Sequence, residues 1–245
     1  MGQPTGSELN GLAGLYAQGD FVALETEAGR LLASYPDAGF LWQVLGVALN
    51  SQGKDGLLAL QRAVALLPGD APAHSNLGNA LKDAGRLPEA EASYRHALAL
   101  NAEDAVACYN LGCVLQEQDK LDEAMSAYRE TSRMQPDFVP AHYNLATLLD
   151  DIGDVEGAEA CYRKVLDLQP GHVQANYNLG WLFHHGHRFA EAEKYYRQVL
   201  ALQPAYVDAL HNLGLVLNAQ GFSAEAEHLC LRALACEPGN ARVRA

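Results

Sequence analysis

The stretch YNLGCVLQEQDKLDEAMSAYRETSRMQP, residues 109–136, decides the fold, because its phrases recur along the chain at a fixed distance. The small residue of its Asn-Leu-Gly phrase, Gly112, has counterparts at Gly46, Gly78, Ala146, Gly180 and Gly214. The steps between successive anchors are 32, 34, 34, 34 and 34 residues. One more step of 34 back from Gly46 reaches Leu12, in a weaker copy. A second marker keeps the same phase: Pro36, Pro68, Pro136, Pro170, Pro204 and Pro238, with Ala102 standing in once. Internal periodicity of this length is the signature of a repeat architecture, here with seven copies.

Fixed offsets within each copy spell out two helices. Three residues after the anchor stand Leu15, Leu49, Leu81, Leu115, Leu149, Phe183 and Leu217. Twelve after it stand Ala90, Ala124, Ala158, Ala192 and Ala226, and sixteen after it Tyr94, Tyr128, Tyr162, Tyr196 and then Cys230. Apolar residues at this spacing form one face of a helix. Between the two helices sits Gly19, Gly53, Gly85, Gly153 or Gly221, where glycine can take the left-handed conformation that ends a helix. Asp119 and His187 hold that place in two copies. The proline closes the second helix, where its missing N–H removes no bond. Small anchors and alanines let paired helices approach, Leu and Tyr fill the space beside them, and each hairpin leaves an apolar side for the next to cover.

This unit is similar to the tetratricopeptide repeat, a 34-residue helix–turn–helix element. Asn110-Leu111-Gly112, Glu123-Ala124, Tyr128 and Pro136 carry the resemblance in the fourth copy. It spans residues 5–238, with the first copy degenerate and the second two residues short between Gly53 and Arg62, so that its turn or second-helix start is expected to be shortened. The resemblance implies an all-α, right-handed superhelical solenoid of about seven repeats, with the first helix of each copy on the concave wall. Residues 239–245 read as the start of an incomplete capping helix. That predicts either a longer protein continuing past Ala245 or a homodimer through the uncapped C-terminal end.

The concave wall points to a binding function. Two residues before the anchor stand Asn10, Asn76, Asn110, Asn144, Asn178 and Asn212, with Val44 the exception. Half of the chain's 12 asparagines occupy this column, although Asn is a mediocre helix former. An amide offers a donor and an acceptor, so a ladder of amides could hold the backbone of an extended peptide. The column resembles the asparagine ladder of O-linked N-acetylglucosamine transferases, which implies an alternative role as the substrate-recognition arm of such an enzyme. Asn is also common at this place in tetratricopeptide repeats, so inheritance of a repeat pattern stays open. One residue earlier come Tyr109, Tyr143 and Tyr177, read as packing between first helices or, alternatively, as amphipathic ligand contacts. Asn79, Lys82, Asp83, Glu117, Asp150, Asp151 and Asp208 complete the wall, leaving it mildly acidic and favouring neutral or basic peptides. The basic side chains of carboxylate-clamp repeats are missing at the matching positions.

Composition narrows the function classes. The chain has 245 residues, 30 acidic and 17 basic, for a formal charge of −13. Lys and Arg are scattered, so binding to nucleic-acid phosphates is not expected. No apolar run is long enough for a membrane span. Met1 to Asn10 lacks the charge and apolar core of a signal peptide, which points to the cytoplasm. Five cysteines without a CxxC spacing argue against a disulfide framework or structural zinc. His184, His185 and His187 read as a solvated helix end, not a metal site, and Glu89, Glu123, Glu191 and Glu225 as a solvated face. No catalytic motif and no cofactor site emerges. The expected function is an interaction scaffold or adaptor, with a purely structural or self-assembly role as a further alternative.

Overall fold

The computed structural model describes residues 3–237. Among them are fourteen α-helices and no strand. They pair in chain order as α1 (Gly6–Gln18) with α2 (Phe21–Ser34), α3 (Gly39–Asn50) with α4 (Leu57–Leu66), α5 (Ala71–Asp83) with α6 (Leu87–Leu100), and α7 (Ala105–Glu117) with α8 (Leu121–Met134). The last three pairs are α9 (Val139–Asp151) with α10 (Val155–Leu168), α11 (Val173–His185) with α12 (Phe189–Leu202), and α13 (Val207–Ala219) with α14 (Ser223–Cys236). The chain forms two compact units, Met1–Gln135 with four hairpins and Pro136–Ala245 with three. In the first, α2 packs on α3, α4 on α5 and α6 on α7; in the second, α10 packs on α11 and α12 on α13.

Each hairpin turns where a residue adopts positive φ. Gly19, Gly53, Gly85, Gly153 and Gly221 do so, and so do Asp119 (61°) and His187 (56°), the two residues that replace glycine. The repeat geometry therefore imposes the left-handed conformation even on side chains that resist it. Prolines follow the second helices as expected, except Pro238, which with the incomplete helix at 239–245 lies outside the described residues.

Inside the hairpins, glycine and tyrosine fit together. A Cβ on Gly112 would lie 2.7 Å from the Tyr128 ring, and one on Gly180 would lie 2.9 Å from Tyr196. Tyr94, Tyr128, Tyr162 and Tyr196 are each fully buried, as are Ala90, Ala124, Ala158 and Ala192. The alanine column thus stands at the helix contact, where its small size sets the approach distance.

The short second copy loses length at the start of its second helix, one of the two places expected. Its turn, residues 51–56, is lengthened, and α4 is cut to 10 residues against 14 in the other second helices. Gly46 and Gly56 make this possible: a Cβ on Gly46 would lie 2.5 Å from Leu60, and one on Gly56 would run into the Gly46 carbonyl. Backbone meets backbone where a side chain would otherwise separate the helices. The Asn50 side chain caps the turn by accepting from Gly56 N–H at 2.9 Å.

Polar staples join successive hairpins. Glu91 on α6 accepts from Lys120 Nζ (2.7 Å) and Gln118 Nε2 (2.9 Å), both in the next hairpin's turn. Glu25 receives Lys54 and Gln52 in the same way, and Glu159 receives Arg188. Burial alone would raise the Glu91 pKa, but Lys120, Gln118 and Arg95 together hold it below the usual value. In the outer column Glu89, Glu123 and Glu225 are exposed and Glu191 half-buried, and the four are ion-paired to Arg86, Arg95, Arg197 and Arg188 respectively.

Candidate peptide-binding face

First helices of neighbouring hairpins lie side by side, α3 with α5 and α5 with α7 in the first unit, and α11 with α13 in the second. Within each unit, the open side of these helices carries its part of the asparagine column. Asn10 is exposed, and Asn76, Asn110, Asn144, Asn178 and Asn212 are half-buried. Residues three apart on a helix share a face, so the position just after each anchor belongs to the same strip. It holds Val47, Asn79, Cys113, Thr147, Trp181 and Leu215. Trp181 and Leu215 are the exposed apolar pair of this row, at 38% and 45%. Apart from Asn79, the sequence reading missed these residues, although their offset from the asparagines would have found them.

The amides are tied to the preceding hairpin. In the second unit Asn178 Nδ2 donates to Tyr162 Oη (3.1 Å) and contacts Tyr143 Oη at 3.4 Å. Asn212 Nδ2 donates to Tyr177 Oη at 3.0 Å. In the first unit Asn110 Nδ2 donates to Asn79 Oδ1 (3.1 Å), which also accepts from the Tyr94 hydroxyl (2.6 Å). The Tyr128 hydroxyl donates to Gln116 Oε1 at 2.8 Å. A large part of the asparagine column is thus explained by contacts within the array. The column breaks at Val44, where the preceding hairpin supplies Leu9 and Ala28 at the tyrosine positions and hence no hydroxyl for an amide to meet.

At Asn110, Asn178 and Asn212 these ties use N–H donors and leave the side-chain oxygen unengaged: Oδ1 accepts nothing from the described residues. Asn144 lies on α9, where its backbone carbonyl accepts from the Thr147 hydroxyl. Asn76 makes no side-chain hydrogen bond at all among the described residues.

The first-helix tyrosines pack mainly on their own hairpins. Ring centroids are 5.8 Å apart for Tyr109 and Tyr128, 6.1 Å for Tyr143 and Tyr162, and 5.8 Å for Tyr177 and Tyr196. Tyr143 also meets His172 (4.9 Å) and Tyr177 meets Tyr206 (5.3 Å), each at the entry to the next first helix. Contact with the neighbouring first helix is made by their hydroxyls through Asn178 and Asn212, not by stacked rings.

Asp150 lies half-buried on α9. Burial pushes its carboxyl pKa up, Asp151 adds to this, and His185 opposes it. Of the expected wall charges, Asp83, Glu117, Asp151 and Asp208 are exposed and Lys82 is half-buried. The histidine cluster is less uniform than expected. His185 is exposed and stacks on Trp181 at 3.9 Å, but His184 is half-buried with its Nδ1 shielded from solvent and unpaired. Burial, followed by His185, His187 and His211, lowers its pKa. No group of three metal-ligating side chains occurs among the described residues.

Stacked helical hairpins with a recurring asparagine column on the open side of their first helices define a helical-repeat protein. The tetratricopeptide-repeat family model matches residues 109–171, 143–205 and 185–241, and a second model of the same repeat matches 71–104. The chain belongs to the tetratricopeptide-repeat family.

No curated protein matches it significantly. Among solved structures it is similar to YrrB, described as a tetratricopeptide-repeat protein with an unusual peptide-binding site, at 22% identity and TM-score 0.68 over 76% of this chain and 96% of that one. It is similar to pilF of Pseudomonas aeruginosa at 20% identity and TM-score 0.70, over 85% and 96%. The C-terminal part of a repeat protein from Cytophaga hutchinsonii superposes at TM-score 0.80 with 14% identity, over 96% and 97%. At these identities the likeness is one of fold. No helix among the described residues is long and apolar enough to cross a membrane.

Proposed function

We propose that this chain is an adaptor that holds an extended segment of a partner protein along the open side of its first helices. The observation that carries this reading is that Asn178 and Asn212 each have an amide N–H fixed by a tyrosine hydroxyl while Oδ1 accepts nothing from the described residues. Fixed acceptors in a row suit the N–H groups of an extended backbone, and pre-fixing them lowers the ordering cost of binding. Asn76 and Asn110 on the first unit, and Asn144, Asn178 and Asn212 on the second, form the proposed contacts of each unit. Tyr109, Tyr143 and Tyr177 act by positioning them, and Trp181 and Leu215 add apolar contact. The acidic side chains beside this row, Asp150 among them, favour neutral to basic segments. In this reading the chain binds and does not catalyse, needs no cofactor and works in the cytoplasm. Similarity to YrrB supports the peptide-binding reading at the level of fold. As an alternative, the asparagine column would make this chain the substrate-recognition arm of an O-linked N-acetylglucosamine-transferase-like enzyme.

Selection of a random peptide display library on the purified chain tests it. Peptides should be enriched on the wild type and lost on a variant with Asn110, Asn144 and Asn178 changed to Ala, whose helical circular dichroism persists. Equal enrichment on both proteins would refute the reading.

A further inference from the structure

The break in the asparagine column coincides with a cavity. On the open side of the first two hairpins a space of about 340 Å³ is walled by Leu12, Tyr16, Phe40, Val44 and Val47, with Gln43 and Asn76 among its lining. Its size lies at the low end of the roughly 300–1,000 Å³ of small-ligand sites. No charged side chain lines it. Tyr16 and Phe40 are 56% and 48% exposed, an apolar surface that the fold itself does not cover. The two amides differ from the tied asparagines elsewhere: neither Gln43 nor Asn76 has a side-chain hydrogen bond among the described residues. Donors and acceptors are therefore both spare beside an uncharged hollow.

Taken together, the geometry points to a specificity pocket. We propose that it takes one bulky uncharged side chain, aliphatic or aromatic, from the bound segment of a partner protein, while Gln43 and Asn76 hold the flanking backbone. The absence of charge from the lining selects against Lys, Arg, Asp and Glu, since a buried unpaired charge is strongly penalised. The paired free amides select a peptide over a plain hydrocarbon, because each amide group needs a partner once water is displaced. This inference rests on the adaptor reading: the pocket sets the register of a segment whose backbone the asparagines hold.

The test is the same peptide library, applied to the full chain and to two variants. Val44→Glu puts a charge in the wall, and Ala13→Trp fills the hollow from an exposed position, so at least one should fold normally by circular dichroism. Wild-type selection should yield peptides sharing a single Leu-, Phe- or Trp-type residue. A fluorescein-labelled consensus peptide should bind each variant roughly ten- to a hundredfold more weakly. Peptides enriched without an apolar residue, or bound equally by a folded variant, overturn the pocket while leaving the adaptor reading intact. Failure to enrich any peptide overturns both. A wild-type dimer in sedimentation that Ala13→Trp abolishes would assign the hollow to a second copy and overturn the proposal.

Discussion

Four buried tyrosines occupy one structural column, but their hydroxyls differ, and the difference can be measured. Tyr162 Oη accepts from Asn178 Nδ2 at 3.1 Å. Tyr196 Oη is buried with no hydrogen-bond partner, and Asn212 directs its amide to Tyr177. Burial raises both phenol pKa values, and at Tyr162 the hydrogen bond from Asn178 opposes that rise. Tyr162→Phe removes an acceptor and leaves Asn178 only the 3.4 Å contact to Tyr143, so it should cost about 0.5–1.5 kcal/mol. Tyr196→Phe removes a hydroxyl that is desolvated without compensation, a burden of about 1–3 kcal/mol for such groups. That variant should be neutral or more stable than wild type. Both rings remain, so packing is held constant. Urea unfolding followed by circular dichroism measures the difference, with a nearest-neighbour treatment because repeat arrays need not unfold in one step. Destabilisation of Tyr196→Phe by as much as Tyr162→Phe would show that its hydroxyl is bonded, and the account of the column would fail.

Two further outcomes follow from local strain and charge. His187→Gly should stabilise the chain by about 1 kcal/mol in thermal melts, since a left-handed φ costs most residues that much, and Asp119→Gly should gain less because Asp tolerates this region better. Asp150 has a raised pKa in the folded state, so its penalty is absent below the ordinary value of 3.8 and appears as pH rises through the folded pKa. Asp150→Asn should therefore raise the melting temperature at neutral pH, with the gain vanishing in acid; an equal gain at both pH values would contradict this.

Much of the array is legible in the sequence because a repeat states its geometry several times. Gly, Asp119 and His187 in one column marked every turn, and the Gly112–Tyr128 pairing followed from a small residue placed sixteen before a large one. The second hairpin was harder. A two-residue deletion fixes the length lost but not where it is lost, and close contact between Gly46 and Gly56 placed it in α4 and not in the turn.

The open face divides in the same way. Sequence alone determined that six asparagines and three tyrosines recur in register on first helices, since helical periodicity requires only local spacing. It could not determine which partner each amide chooses. That choice depends on distances between hairpins 34 residues apart: Asn178 reaches Tyr162, Asn212 reaches Tyr177, and Asn76 reaches neither. Tertiary packing also decided that Leu12, Phe40 and Val44, each unremarkable by itself, coincide beside a hollow with no charge in its wall. Periodicity assigns residues to faces, and only the packing of one hairpin on the next decides which groups on those faces remain free to bind.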